Sequence, residues 1–387
     1  MNTGGTNELA TAVAAYGLAG SLTELPAKPL EDRAWCDLLA EVRRQRLTGH
    51  LVKALVDGAL AADDMQVSEA GDVHSRAMAD ALVLEDMLIA AVDHLAAHRV
   101  EARVLKGPAT AHLDYPDPAL RSFGDIDLLV RSADFDAAVS TLAANGYRRR
   151  FPEPRPGFDR RFGKGVALWN PAGREVDLHR TLAFGPFGLR IRLDALWGSA
   201  AVFRVGGREL AALAPELRLL HACYHTVLGD HPPRLVPQRD IAQLVLSDRV
   251  DIDSVRRLAA SWQGEAVVAQ AIRTTWDSFQ IADVVALSAW AQRHQPDARE
   301  LRDLALYTTE RASYAGKSLG ALRAIPGVRA KFRYLRALAF PQRSYVQDHH
   351  SSYAARLRHG AVAGLGSSSG VATGSLNGVD TLSNSDG

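Results

Sequence analysis

Between Val100 and Val205 the apolar residues of this 387-residue chain stop recurring at helical spacing and gather into short runs of four to six, each bounded by turn residues. Before that stretch the spacing is helical, as in Leu38, Leu39, Val42, Leu47, Leu51 and Leu55, and again through Ala81, Leu84, Leu88, Ala91 and Leu95. After it, Pro215 opens a second long helical region in which Leu217, Leu220, Tyr224 and Val227 share one face. A helix buries one stripe and a strand alternates its faces, so a switch from one period to the other and back specifies a sheet held between helical layers. The expected fold class is α+β: a small mixed β-sheet core backed by helices and flanked by N-terminal and C-terminal helical regions. The corresponding boundaries are 1–98 for the N-terminal helices, 99–213 for the core and 214–360 for the C-terminal helical domain. The Gly/Ser-rich remainder, 361–387, is expected to be disordered, because such a composition buries too little to offset its ordering entropy.

Within the core, Val100–Leu105 reads as a strand that ends at Lys106-Gly107-Pro108, with Pro108 opening a short helix over Ala109–Leu113. Asp125–Val130 is a second strand. Ser132 is then placed to cap a helix through Phe135, Val139 and Leu142 that Gly146 stops. A third strand begins near Tyr147. Val166–Trp169 and Glu175–His179 flank Asn170-Pro-Ala-Gly173, the turn chemistry of an antiparallel pair. Val202–Val205 and the apolar stretch after it close the core.

Three Asp-x-Asp pairs occur, and their settings separate them. Asp134 and Asp136 fall in the first turn of a helix, where acids complement the dipole, and Asp251 and Asp253 look like a cap between helices. Asp125 and Asp127 begin a strand, so both carboxylates project from one face and repel unless a cation lies between them. A third acid, Asp177, follows on a later strand. Carboxylate oxygens suit Mg2+, with Mn2+ as a substitute, and three acids on adjacent strands can hold two ions and orient an attacking hydroxyl. Upstream, Lys106 and Gly107 sit where a strand passes into a helix, a place that favours a phosphate. Arg121, Ser122 and Gly124 precede the acidic pair and are nucleotide-side candidates. The ordinary alternative for all of these is solvated acids and surface ion pairs.

The order Leu105-Lys-Gly, then Leu120-Arg-Ser-Phe-Gly-Asp-Ile-Asp-Leu-Leu-Val130, then Val176-Asp-Leu-His179 resembles the polymerase-β-like nucleotidyltransferase superfamily, and within it a bacterial branch of uncharacterised nucleotidyltransferase proteins. Gly107 matches that family's turn glycine, Asp125 and Asp127 its metal pair, and Asp177 its third acid; Pro108 stands where the superfamily usually has Ser. The resemblance implies two Mg2+ ions, a nucleoside triphosphate as substrate, and transfer of a nucleotidyl group to a hydroxyl-type acceptor on a small molecule or peptide. The alternatives left open are a non-catalytic, antitoxin-like regulatory partner with the same fold, and a nucleotidyltransferase acting on tRNA or protein.

His179 shares a strand face with Asp177 and, with His225 and Asp240, is an acceptor-side candidate. His221 and His225 stand at i and i+4, but the Glu of a His-Glu-x-x-His zinc motif is absent. A basic run from Arg148 to Lys164, broken by prolines, is a candidate lid over the triphosphate or a contact for RNA, with a solvated loop as the plainer reading. The net charge of +1 supplies no general attraction for nucleic acid or an anionic membrane. Two cysteines, Cys36 and Cys223, fit a reducing compartment, and no apolar stretch is long enough to span a bilayer, so a cytoplasmic protein is expected.

Overall fold

A computed structural model of the chain describes residues 3–229, 233–308 and 314–349. The described residues up to Gln342 form one compact unit, and the helix Arg343–His349 belongs to a second. The segment 361–387 lies outside the described residues.

The first unit is built on a seven-stranded mixed sheet. Its strands are β1 (Ala102–Val104), β2 (Ile126–Val130), β3 (Arg148–Arg149), β4 (Gly165–Trp169), β5 (Glu175–His179), β6 (Ala200–Val205) and β7 (Arg208–Leu213). They lie in the order β3-β4-β5-β2-β1-β7-β6. β2 runs parallel to β5 and antiparallel to β1; β1 runs parallel to β7; the hairpins β4–β5 and β6–β7 are antiparallel. The expected α+β class, with its small mixed sheet among helices, is what the chain adopts.

β2 is buried along its whole length, as its unbroken run Ile126-Asp-Leu-Leu-Val130 requires of a strand covered on both faces. Alternation assigns its two faces to different cores. Ile126, Leu128 and Val130, with Val176 and Leu178 of β5 and Val166 and Leu168 of β4, pack on Leu84, Leu88, Ala91 and Leu95 of the helix Asp64–Ala97 and on Phe135 and Leu142. Leu129, from the other face, joins Leu217, Leu220 and Tyr224 of the helix Pro215–Leu228 in a larger, helical core centred on Trp262 and Phe279. Asp127, Asp177 and His179 share the parity of Leu129, while Asp125, expected to begin the strand, lies in the bend just before it. The Asp127 and Asp177 carboxylates therefore face the C-terminal helices.

The N-terminal helices do not form a core of their own. Trp35, Leu38 and Val42 of Asp32–Arg44 and Leu51 of Thr48–Val56 pack into the helical core, while Asp64–Ala97 backs the sheet. That long helix starts in a capping box: the Asp63 carboxylate accepts from the Gln66 amide at 2.8 Å, and the Gln66 side chain reaches back toward the Asp63 amide and donates to the Leu30 carbonyl at 2.7 Å.

Local chemistry places the connections as expected. Gly107 takes φ 59°, a conformation that suits glycine, and Pro108 opens the helix Pro108–Asp114. Gly146 at φ 86° follows the end of Phe135–Ala144. Asn170 closes the β4–β5 turn by accepting from the Arg174 amide at 2.8 Å. Asp251 caps Ile252–Ser261. Ser132 differs from expectation. Asp134 occupies the N-cap position of Phe135–Ala144, no side chain caps that helix, and the Ser132 hydroxyl is buried with no hydrogen-bond partner.

Candidate active site

The register of β2 and β5 pairs Asp127 with Asp177 and Leu129 with His179. Two acids some fifty residues apart in sequence thus become lateral neighbours, about 4.8 Å being the usual spacing between strands. His179 Nε2 lies 2.9 Å from Asp127 Oδ1, and one ligand atom from each of Asp127, Asp177 and His179 lies within 4.8 Å of the others. Asp125, two residues before Asp127, sits at the rim of this trio; its Oδ1 is 3.1 Å from Arg46 Nη1 and its Oδ2 is 3.1 Å from Lys106 Nζ. Lys106 Nζ also stands 3.2 Å from Asp127 Oδ2, so one ammonium bridges the acidic pair. That second contact is an ion pair without hydrogen-bond geometry, since Asp127 Oδ2 has no hydrogen-bond partner.

The charges are set by burial and by one another. Burial opposes ionisation of Asp127, but Lys106 and His179 outweigh it and hold the carboxyl well below the usual carboxylate range. Asp125 is lowered in the same way, burial being overcome chiefly by Lys106. The Lys106 ammonium loses hydration, yet Asp127 and Asp125 hold its pKa above the ordinary value. Asp177 goes the other way: burial, then the negative charges of Asp127 and Glu175, push it up to about 7. Lys164, whose strongest carboxylate neighbour is Asp127, is lowered by burial. The helix Pro215–Leu228 closes this face with His221 and His225. Burial, then Lys164, pulls His221 down to about 3; burial, then Lys106, holds His225 well below its ordinary value. Both imidazoles are neutral at neutral pH.

Beside the Asp125 turn opens a cavity of about 340 Å3 whose wall includes Ser122, Phe123 and Gly124 on one side and Arg43, Arg46, Arg76 and Arg174 on the other. A Cβ at Gly124 would lie 2.6 Å from Arg46 Nη2, so a side chain there would displace that guanidinium.

The family model described as "uncharacterised nucleotidyltransferase" matches residues 31–280, a span that contains the sheet, the acidic cluster and its helical cover. The chain belongs to that family. Among solved structures, this nucleotidyltransferase is similar to an antigenic nucleotidyltransferase-like protein from Paracoccidioides brasiliensis, at 15% identity and a TM-score of 0.32 over 51% of this chain and 92% of that one. It is also similar to the antibiotic-resistance factor ANT(2'')-Ia, at 15% identity and a TM-score of 0.29 over 51% of this chain and 94% of that one. No curated protein matches the sequence.

Nucleotidyltransferases generally use divalent metal, and the donors fit one. Asp127 offers a buried oxygen with no hydrogen bond, Asp177 a carboxylate beside it, and His179 a ring nitrogen within reach. Two carboxylates suit Mg2+ or Mn2+, while the imidazole, already on Asp127 Oδ1, either joins them or orients that carboxylate.

Several candidates are used otherwise. Arg121 forms a buried, two-pronged ion pair with Asp240, Nε to Oδ1 and Nη2 to Oδ2, each at 2.9 Å, and Tyr115 donates to Asp240 Oδ1 at 2.7 Å. Arg121 and Asp240 are thus paired with each other in the interior, at the start of the loop that leads to Asp125. The Ser122 hydroxyl donates to the Arg46 carbonyl at 3.1 Å and so positions the arginine that meets Asp125. His225 is half-buried and stands against His221 with ring centroids 6.4 Å apart. Three arginines of the basic run are paired, Arg149 with Asp159, Arg150 with Glu175 and Arg160 with Asp136, and Lys164 feels the charge of Asp127. Arg46 and Lys164 are the two site residues that sequence reasoning missed, one lying in a helical region and the other hidden within a charge run. Among the described residues, no helix is long and apolar enough to cross a membrane.

Proposed function

We propose that the protein transfers a nucleoside monophosphate from a nucleoside triphosphate to a hydroxyl group on a small molecule or peptide, releasing pyrophosphate. The observation that carries this reading is the Asp127–Asp177 register with His179 beside it, which gathers a cation-binding trio on the sheet face that the helices enclose.

Asp127 and Asp177, with Asp125 at the rim, would hold Mg2+. When bound, the metal would neutralise phosphate charge and align the attacking and leaving oxygens. The protein's own groups supply the rest. Lys106, which bridges Asp125 and Asp127, is free to turn to the triphosphate once a metal neutralises the carboxylates. Gly107 brings the backbone close at the start of Pro108–Asp114, and the arginines of the 340 Å3 cavity offer further positive charge. Asp177, beside Asp127 on the paired strand, would take the proton of the acceptor hydroxyl as its oxygen attacks the α-phosphorus. The bond from that phosphorus to the β-phosphate bridge oxygen breaks, and pyrophosphate leaves. The neutral imidazole of His179 keeps Asp127 oriented through its 2.9 Å contact.

The test supplies four α-labelled nucleoside triphosphates with Mg2+ and a cell-extract small-molecule fraction as acceptor source. Label should move from at least one triphosphate to a new product, and Asp125→Asn and Asp127→Asn should each abolish the transfer. Label transfer that persists in Asp127→Asn would rule the site out.

A further inference from the structure

A second cavity, of about 800 Å3, shares no lining residue with the catalytic cluster or the Asp125 turn. That volume lies within the roughly 300–1,000 Å3 of small-molecule sites. Arg160, Arg161, Arg180, Arg329 and Arg333 line it, and no acid does. Of these, Arg160 is drawn toward Asp136 at 3.3 Å. Between the arginines the wall is apolar, with Phe162, Leu189, Ile191 and Ile325.

Arg180 is only 4% exposed, its Nε donates to the Gly163 carbonyl at 2.8 Å, and its Nη2 is buried with no partner. No carboxylate of the described residues lies within ion-pair distance of it. A buried guanidinium so placed is costly unless something supplies the missing charge. Burial brings its pKa down to about 10, and Asp159 offsets this only in part. Ser132 also lines the cavity, and its hydroxyl is buried and unpartnered. The N-terminus of the twelve-residue helix Val328–Ala339 opens on the cavity, and its cap residue, Gly327, brings no side chain to the first-turn amides. A lining with five arginines and no acid, a partnerless buried guanidinium nitrogen and a helix N-terminus all favour an oxyanion in this cavity.

We infer that this cavity binds a small amphiphilic anion, a phosphate or carboxylate head on an apolar body, with the head among Arg161, Arg180, Arg329 and Arg333 and the body along Phe162, Leu189 and Ile191. The apolar wall favours such a ligand over a nucleic-acid backbone, whose contacts are polar throughout. The site stands independently of the nucleotidyl-transfer reading.

Calorimetric titration of the full chain with octyl phosphate, octanoate, octanol and inorganic phosphate tests it. Octyl phosphate or octanoate should bind, and whichever is tighter identifies the head. Octanol and inorganic phosphate should each be weaker by about tenfold or more, the worth of one charge-assisted contact. Arg329→Glu and Arg333→Glu, which spare the Gly163 contact, should each weaken the tighter amphiphile several-fold, and Asp127→Asn should leave it unchanged. The inference is overturned if neither amphiphile binds, if octanol or inorganic phosphate matches them, or if both cavity variants bind as wild type. It is also overturned if Asp127→Asn abolishes binding, or if a single-stranded RNA binds more tightly than either amphiphile and loses affinity in Arg333→Glu.

Discussion

Asp240→Ala is the perturbation whose cost the structure defines most closely. The Asp240 carboxylate accepts from Arg121 Nε and Nη2 at 2.9 Å each and from the Tyr115 hydroxyl at 2.7 Å, and Arg121 and Asp240 are each 5% exposed. Removing it strands a guanidinium in the interior, where Arg121 donates otherwise to its neighbouring Ser122 carbonyl. Breaking a buried pair from one side costs about 3–5 kcal/mol. With a urea slope of up to about 3 kcal/mol per molar, the midpoint should fall by about 1 M or more. The double variant Arg121→Met/Asp240→Leu removes both charges and should recover most of that loss, because two apolar side chains need no counter-ion. Urea melts followed by tryptophan fluorescence read both values. A loss below about 1 kcal/mol in Asp240→Ala, or a double variant no better than the single one, would refute a structural role for the pair.

Three further outcomes follow from the same geometry. His221 is held neutral with a folded pKa of about 3, below its unfolded value, so the unfolded chain takes up the proton first and stability falls as pH drops from about 6.5 toward 3. One such group costs about 2 kcal/mol at pH 5, and His221→Phe should flatten the fall between pH 7 and 5 in melts at each pH; an unchanged slope would contradict this. Lys106→Ala removes an ammonium 3.1 and 3.2 Å from the acidic pair, so Mn2+ alone should bind about tenfold more tightly by electron paramagnetic resonance. Equal or weaker binding counts against Lys106 as the competitor. In Gly165→Ala the new Cβ would lie 2.3 Å from the Leu178 carbonyl oxygen and 2.9 Å from His179 Cα, prising β4 from β5. Thermal melts should show a loss of about 1–3 kcal/mol, and a wild-type melt would show that the strands give way freely.

What was legible in the sequence is what short-range chemistry decides. The Asn170–Gly173 turn, the Gly107-Pro108 helix start and the strand setting of Asp127 are settled within a few residues, and each appears where its pattern put it. The register that sets Asp127 against Asp177 was not legible, although both strands were, because pairing depends on how two buried faces meet helices from opposite ends of the chain. The same distance hid the Arg121–Asp240 pair: Arg121 looked available to phosphate only while its partner, 119 residues on, was out of view. Arg46 belongs to a helical region with no marker of a site, yet its φ of 59° and its Asp125 contact tie it to the cluster. Ser132 was read as a cap from local preference, and Asp134 holds that position.

The most direct measurement is the binding of non-hydrolysable nucleoside triphosphate analogues to the full chain, with and without Mn2+, in wild type and Asp127→Asn. Wild type should bind at least one of the four bases only when metal is present, and Asp127→Asn should lose that binding by about a hundredfold, the worth of a buried charged contact. Metal-independent binding, or equal affinity in Asp127→Asn, would contradict the assignment of the Asp127–Asp177–His179 cluster as the metal and nucleotide centre.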